Sequence, residues 1–517
     1  MSYPKSFTRI SALLCLTVAF FSCNEDTFLD RVPADRFTPA SFYQTEQQIN
    51  EATITLYPIM RGLAVGALND YGDYRSDNTT FQYDQRDRGR NGFERVDYFL
   101  LEAGDGFHNG FYNPCYTGIA RANYILDRVD EVEFATQERR ASATAEARFF
   151  RGYYHFLLVQ HFGDIVPSTA VVEGDGTGLA QLRRQPFMDV YNQVIIPDLQ
   201  FAIDNLPITW DDNNTGRVTR AVAEMALAKA YFHLRDYSSA LPFLNAIVDR
   251  GNYRLLDNFA DVFRIEQTST AENGTTLNPE ILWAAQFNAA QGQGAGYMFD
   301  WIPNSGDDIT MGQERNSAGF NIPTCDLIDA YEDNDRRRAA TFAFYDADPD
   351  DPDNDSIPYS VKFLTIPYVG AGIDVDYPIF RYADVLLMQA EALVETGQDV
   401  FNRPLLSINN IRRRAGLPPF IQNNPRNPEF SVSTPEEVRD IIRRERRLEL
   451  AYEGHRSYDL RRYGIFEERM RAHGEEQRMK QPFLEEFPEA YMNIRELLAI
   501  PQGQIDLYGY RQNPGWE

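Results

Sequence analysis

The chain has 517 residues, 43% of them hydrophobic, with 76 acidic against 50 basic residues and a formal net charge of −26. That length supports a large core, as two to four domain-sized units or as one extended helical architecture. The acidic balance argues against nucleic acid and strongly anionic polymers as ligands.

Residues 1–22 read as an export signal. Lys5 and Arg9 supply the positive start, and Ile10 to Phe21 is an apolar run too short to span a bilayer permanently. Ser22-Cys23 follows, a small residue before a cysteine, which resembles a bacterial lipobox with Phe20 as a departure from its strictest form. The resemblance implies cleavage before Cys23 and lipid on that residue. The acidic Glu25 and Asp26 resemble the surface-export signal of Bacteroidetes-type lipoproteins. Residues 23–517 then read as a single domain on a lipid tether, held to the membrane by that anchor only.

The next stretch reads as a helix toward Met60, capped by Thr38 or Ser41, with Ile49, Ile54, Leu56 and Ile59 as its apolar positions. Asp70 to Gly92 then breaks all periodicity. It mixes Tyr74 and Tyr83 with Asp73, Arg75, Asp77 and Asn78, too polar for a core and too aromatic for a linker. Helices are expected at Tyr116–Val129, Glu138–Phe162 and Val190–Leu206. In the second, Phe149, Tyr153, Phe156, Leu157 and Phe162 form a core stripe. Residues 218–250 have the helix–turn–helix spacing of a tetratricopeptide repeat at Leu227, Ala228, Tyr231, Tyr237 and Ala240, and residues 382–416 carry a looser copy. Two copies cannot make a stable solenoid, so other helices must complete the stack.

Residues 252–380 between the copies are rich in Gly, Asn, Asp, Pro and aromatics, with a strand expected at Glu280–Phe287 and a helix near Cys325–Tyr331. Tyr297 and Trp301 stand in a Gly-rich, unperiodic segment. The acidic run from Asp346 to Ser356 lacks the glycine and terminal glutamate of a calcium loop and reads as solvated. Cys115 and Cys325 are either a disulfide or buried thiols.

Thr434 to Gly464 carries the clearest signal. Thr434, Pro435 and Glu437 form a helix start with a capping box, and Val438, Ile441, Ile442, Leu448 and Tyr452 recur at helical spacing. Glu445 and Glu449 fall on the same buried face, so each must meet a cation, with Arg444, Arg447, Arg456 and Arg461 as nearby choices. Gly454 is placed to stop the helix. The pairs read as a structural network rather than a catalytic carboxylate pair, with Arg456 and Asp459 part of it.

Glu445, Arg446, Glu449, Leu450, Glu453, Gly454, Arg456, Asp459, Leu460, Arg462 and Gly464 follow in order the C-terminal signature of the SusD/RagB family of surface lipoproteins, which the chain resembles over nearly its whole mature length. The resemblance implies a mostly α fold: a tetratricopeptide-like helical scaffold with a loop-rich, minor-β ligand-binding region. It further implies a nutrient-binding protein, most often for an oligosaccharide, that serves a SusC-like TonB-dependent transporter at the outer membrane, facing the cell exterior. Neither a cofactor nor a resident metal is expected. No nucleophile motif, Walker loop or metal-ligand pair is present, so an enzyme does not show itself. A surface glycoside hydrolase and a peptide-binding relative are the alternatives. Sugar capture uses flat aromatic faces with polar side chains around them. This places the expected ligand site where the loops at 70–92 and 291–320 meet: Trp301, Tyr297, Tyr74, Tyr83, Asp73, Asp77, Asn78 and Arg75.

Overall fold

The computed structural model describes residues 42–82, 91–172, 182–264, 278–304, 309, 318–346, 356–364 and 373–517. Cys23, Tyr83 and most of the acidic 346–356 run lie outside them.

The chain enters through α1 (Glu46–Ile54) and α2 (Tyr57–Val65). The cap of α1 is Thr45, whose hydroxyl accepts from Gln48 N, rather than Thr38 or Ser41. The expected single helix is split, with Pro58 at the start of α2, where a missing N–H costs nothing. Ile54 is more than half exposed instead of joining the core. Then come α3 (Gly106–Arg128) and α4 (Gln137–Phe162). α3 begins ten residues before the expected Tyr116 and runs through Pro114, because Phe111, Tyr112 and Cys115 are buried against the core and outweigh the lost hydrogen bond. The aromatic stripe of α4 is core, as its spacing predicts.

A π-helical turn at Tyr191–Ile195 precedes α5 (Ile196–Asn205), and Pro197 at the start of α5 leaves one N–H out of the ladder there. α6 (Arg220–His233) and α7 (Tyr237–Arg250) form the first hairpin, with Ala228 and Ala240 fully buried where the two helices approach. α8 (Tyr382–Glu395) and α9 (Asn402–Ala415) form the second. Helices α3 to α9 pack each on the next, so the stack that two repeats could not make is completed by α3, α4 and α5.

α8 is buried from Ala383 to Val394 on every side, the mark of a central helix. Its polar groups therefore need partners: Lys229 and Arg446 meet Asp384, and Arg462 meets Glu391. The signature follows as α10 (Pro435–Glu449), α11 (Arg456–Tyr463) and α12 (Phe466–Lys480). Both halves of the Thr434–Glu437 capping box are made. α10 ends at Glu449, and a turn through Leu450–Tyr452 reaches Gly454 at φ +70°.

Strands are short and paired. β1 (Thr79–Thr80) lies antiparallel to β3 (Ile322–Pro323), and β2 (Ile281–Ala285) lies antiparallel to β6 (Tyr377–Arg381), with β4 (Phe342–Tyr345) against β5 (Ile357–Ser360). The β1–β3 pair joins the two loops expected to meet: Gln82 N donates to Gly319 O, and Asn304 N donates to Gln82 Oε1. Cys115 is buried and Cys325 exposed, and both are free thiols.

Candidate functional site

Glu445 and Glu449 are fully buried, and the four arginines near them in sequence do not neutralise them. Arg337 and Arg412 each approach Glu445 at 2.8 Å, and Arg381 reaches Glu449 at 2.7 Å together with Arg414. These arginines come from the helix at Arg336–Thr341, the end of β6 and the end of α9. On α10, Arg444 is exposed and turns to Glu332 and Ala330, while Arg461 on α11 donates to Gln160 O. Burial alone would raise the Glu449 carboxyl, but Arg414, Arg381 and Arg337 hold it down to about 2. Asp459 is held below its ordinary value by Arg446 and Arg462.

The structure places most of the expected ligand-site residues inside the core. Residues 71–81 are buried, so polarity did not keep this stretch out of the core. Asp77 is encased by Arg456 at 2.7 Å, Arg469 at 2.8 Å and Arg447 at 3.5 Å, and despite its burial these cations hold its carboxyl well below the usual range. Asn78 Oδ1 accepts from Arg447, and Asp73 Oδ2 accepts from Gly454 N. Arg75 lies over the Phe99 ring and donates to Arg495 O. Asp73, Arg75, Asp77 and Asn78 are therefore tied to the signature segment and the C-terminal loops rather than aimed at a ligand.

Trp301 is 2% exposed and Tyr74 is 4% exposed, and the indole N–H donates to the Tyr74 hydroxyl at 3.3 Å. They form the middle of an aromatic chain through the molecule. Trp301 touches Tyr297, which touches Phe287, while Tyr74 touches Phe81, then Phe320, then Phe93 and Phe107. Both ends come up toward the surface: Phe287 on one side, Phe93 and Phe107 on the other, all half-buried, as is Tyr297 next to Phe287. The sequence reading chose the largest aromatics of these loops, and burial follows from their size.

The Phe287 end opens into a groove of about 570 Å³ between α2 and the β2–β6 pair. Gln286, Asn288 and Gln293 line it with exposed amides. Arg61 lies 5.8 Å over the Phe287 ring and donates to Gln293 Oε1 at 2.6 Å. Asp374 and Asp376 shape the wall by accepting from the backbone N–H groups of Ala289 and Phe287. Burial lifts the Asp376 carboxyl to about 7. Sequence reading passed over Phe287 and its neighbours because they lay at the end of an expected strand; their only signal was the amide-rich run that follows.

The SusD family model matches residues 343–516, and a model described as starch-binding associating with outer membrane matches residues 27–232. SusD-like protein P25 of Formosa agariphila is 26% identical over 528 residues, covering 88% of this chain and 90% of that protein. A SusD-like protein of Bacteroides ovatus is 24% identical, covering 87% and 81%. Among solved structures, a laminarin binding SusD-like protein has a TM-score of 0.72 at 24% identity, covering 92% of this chain and all of that one. Surface glycan-binding protein A from Bacteroides thetaiotaomicron in complex with laminarihexaose has a TM-score of 0.70 at 20% identity, covering 91% and 100%. With the helical stack, the signature network and family matches in both the N-terminal and C-terminal parts of the sequence, the chain belongs to the SusD/RagB family.

Proposed function

We propose that this protein captures a neutral oligosaccharide at the outer-membrane surface and passes it to a SusC-like TonB-dependent transporter, acting by binding alone. The observation that carries the reading is the Phe287 groove. It sets a half-buried aromatic ring among three exposed amides and an arginine, in a volume within the ~300–1,000 Å³ usual for ligand sites. An aromatic face takes the apolar side of a pyranose, and amides pair with hydroxyls without preferring charge. Membership of a family described as starch-binding and associating with the outer membrane supports both ligand class and place. The laminarin-binding relatives support a β-glucan as the first ligand to try. A lipid on Cys23 would hold the protein at the membrane.

The Phe93–Phe107 end is the second reading. It is favoured by the edge-on pair of half-buried rings Phe93 and Phe107, which Phe320 joins to the Gln82–Gly319 contact.

Calorimetry against laminarihexaose, maltohexaose and a neutral peptide tests the proposal. Phe287→Ala and Gln293→Ala should each weaken the glycan that binds, with Phe287→Ala costing about ten-fold, as loss of one stacked aromatic does. Loss on Phe93→Ala with Phe287→Ala unaffected moves the site to the other end. Release of reducing sugar by the purified protein would make it a glycoside hydrolase.

A further inference from the structure

A second cavity, of about 240 Å³, lies inside the helical scaffold where α4, α6 and α8 meet α11. It is separate from the Phe287 groove and plays no part in the glycan reading. Its inner wall is aromatic, with Tyr153, Phe156, Phe232 and Phe380. Arg235 and Glu496, both exposed, stand at the solvent side.

The charges of this cavity are mostly cancelled. Lys229 is paired with Asp384, Arg446 with Asp384 and Asp459, Arg462 with Glu391, and Glu453 with Lys362 and Arg381. His233 and His455 are each pushed down to about 4, chiefly by burial, and are neutral at pH 7. Arg235 and Arg461 are different. Among the described residues neither closes an ion pair, and Glu496 acts on Arg461 without reaching it. Arg461 is half-buried and donates to Gln160 O, while Arg235 donates to Arg461 O. The positive field of Arg461 reaches Arg75, His161 and His233 and disfavours charge on each. A half-buried guanidinium with no carboxylate in ion-pair contact is costly, and five N–H donors in a planar fork match a carboxylate. In a chain of net charge −26, this is a local cationic site over an aromatic pocket.

We infer that this cavity binds a small carboxylate carried on a single ring, of the class of a monomeric sugar acid, with Arg461 and Arg235 holding the carboxylate and Tyr153, Phe156 and Phe232 enclosing the ring. The volume limits the occupant to one ring: a dry cavity of ~150 Å³ holds benzene, and 240 Å³ leaves room for its substituents but not for a chain.

Calorimetry on the full mature protein with glucuronate, glucose and acetate as probes tests this. Glucuronate should bind, with glucose and acetate each at least about ten-fold weaker, and raised salt should weaken glucuronate. Arg461→Gln should weaken glucuronate about ten-fold or more. Arg235→Gln, at an exposed position, should weaken it several-fold with an unchanged melting temperature, which separates lost binding from misfolding. Phe287→Ala should leave it untouched. Absence of glucuronate binding at ~10 mM, equal binding of glucose or acetate, retention of affinity in both arginine variants, or loss in Phe287→Ala each overturns the assignment.

Discussion

Gly72 lies against Gly454 so closely that a Cβ on Gly72 would sit 2.6 Å from the Gly454 Cα. The two residues belong to opposite ends of the sequence. Gly454 N donates to Asp73 next door, and its φ of +70° suits glycine. No side chain can be accommodated because the obstacle is backbone. Gly72→Ala should therefore destabilise the protein by about 1–3 kcal/mol or more, through forced separation of the two segments. Urea unfolding would read this as a lower midpoint; an unchanged midpoint would show that the contact is loose.

Arg456 holds Asp77 with a two-point contact across 379 residues of sequence, at 2.7 and 2.9 Å. Arg447 and Arg469 share the same carboxylate, so the pair is not equally sensitive from both sides. Arg456→Gln should cost about 1–3 kcal/mol, while Asp77→Ala should cost more, because it leaves Arg456 without an ion pair and takes one of two carboxylates from Arg447 and Arg469, which keep Asp326. Equal melting temperatures for the two variants would contradict this asymmetry.

Two sets of carboxylates give stability opposite pH slopes. Glu449 is depressed to about 2, so its contribution is complete above pH ~4.5 and is lost as pH falls toward 2. Asp376 is raised to about 7, so it favours folding at low pH and that advantage is lost as pH rises from about 4 to 7. Asp376→Asn keeps an oxygen for the Phe287 N–H and removes the titration. The variant should lose less stability than the parent between pH 5 and 8. Chemical denaturation across that range checks it, with superimposable profiles counting against the burial of Asp376.

Trp301 and Phe287 separate structure from binding. Trp301→Ala empties a buried site and should cost about 3–5 kcal/mol, with glycan affinity preserved in whatever protein remains folded. Phe287→Ala should show the reverse pattern, near-parental stability with weakened glycan. Thermal melts run beside calorimetry decide between this and the sequence expectation that Trp301 touches sugar.

Cys23→Ala should leave the protein unlipidated and shift it out of the membrane fraction. Mass spectrometry of the N-terminal peptide gives a second readout. Parental fractionation in the variant would remove Cys23 as the anchor.

The sequence by itself determined what depends on near neighbours and on periodicity. The Thr434–Glu437 capping box, the two helical hairpins and the core stripe of α4 are local, since caps act over three residues and helical faces over four. Burial of Glu445 and Glu449 was legible for the same reason. Which arginines meet them was not: Arg337, Arg381, Arg412 and Arg414 arrive from segments up to 112 residues away, and proximity in sequence pointed to the wrong four. The surroundings of the expected site residues were not legible for the same reason. The two loops expected to meet do so at the Gln82–Gly319 contact, beside the β1–β3 pair. Their depth was decided only by tertiary structure, because a polar stretch enters the core whenever distant cations and amides satisfy it, as Arg456, Arg469 and Gly454 satisfy Asp77 and Asp73. Trp301 and Tyr74 gain much from leaving water and fill the floor, while Phe287, Phe93 and Phe107, which composition alone does not single out, stay half-buried.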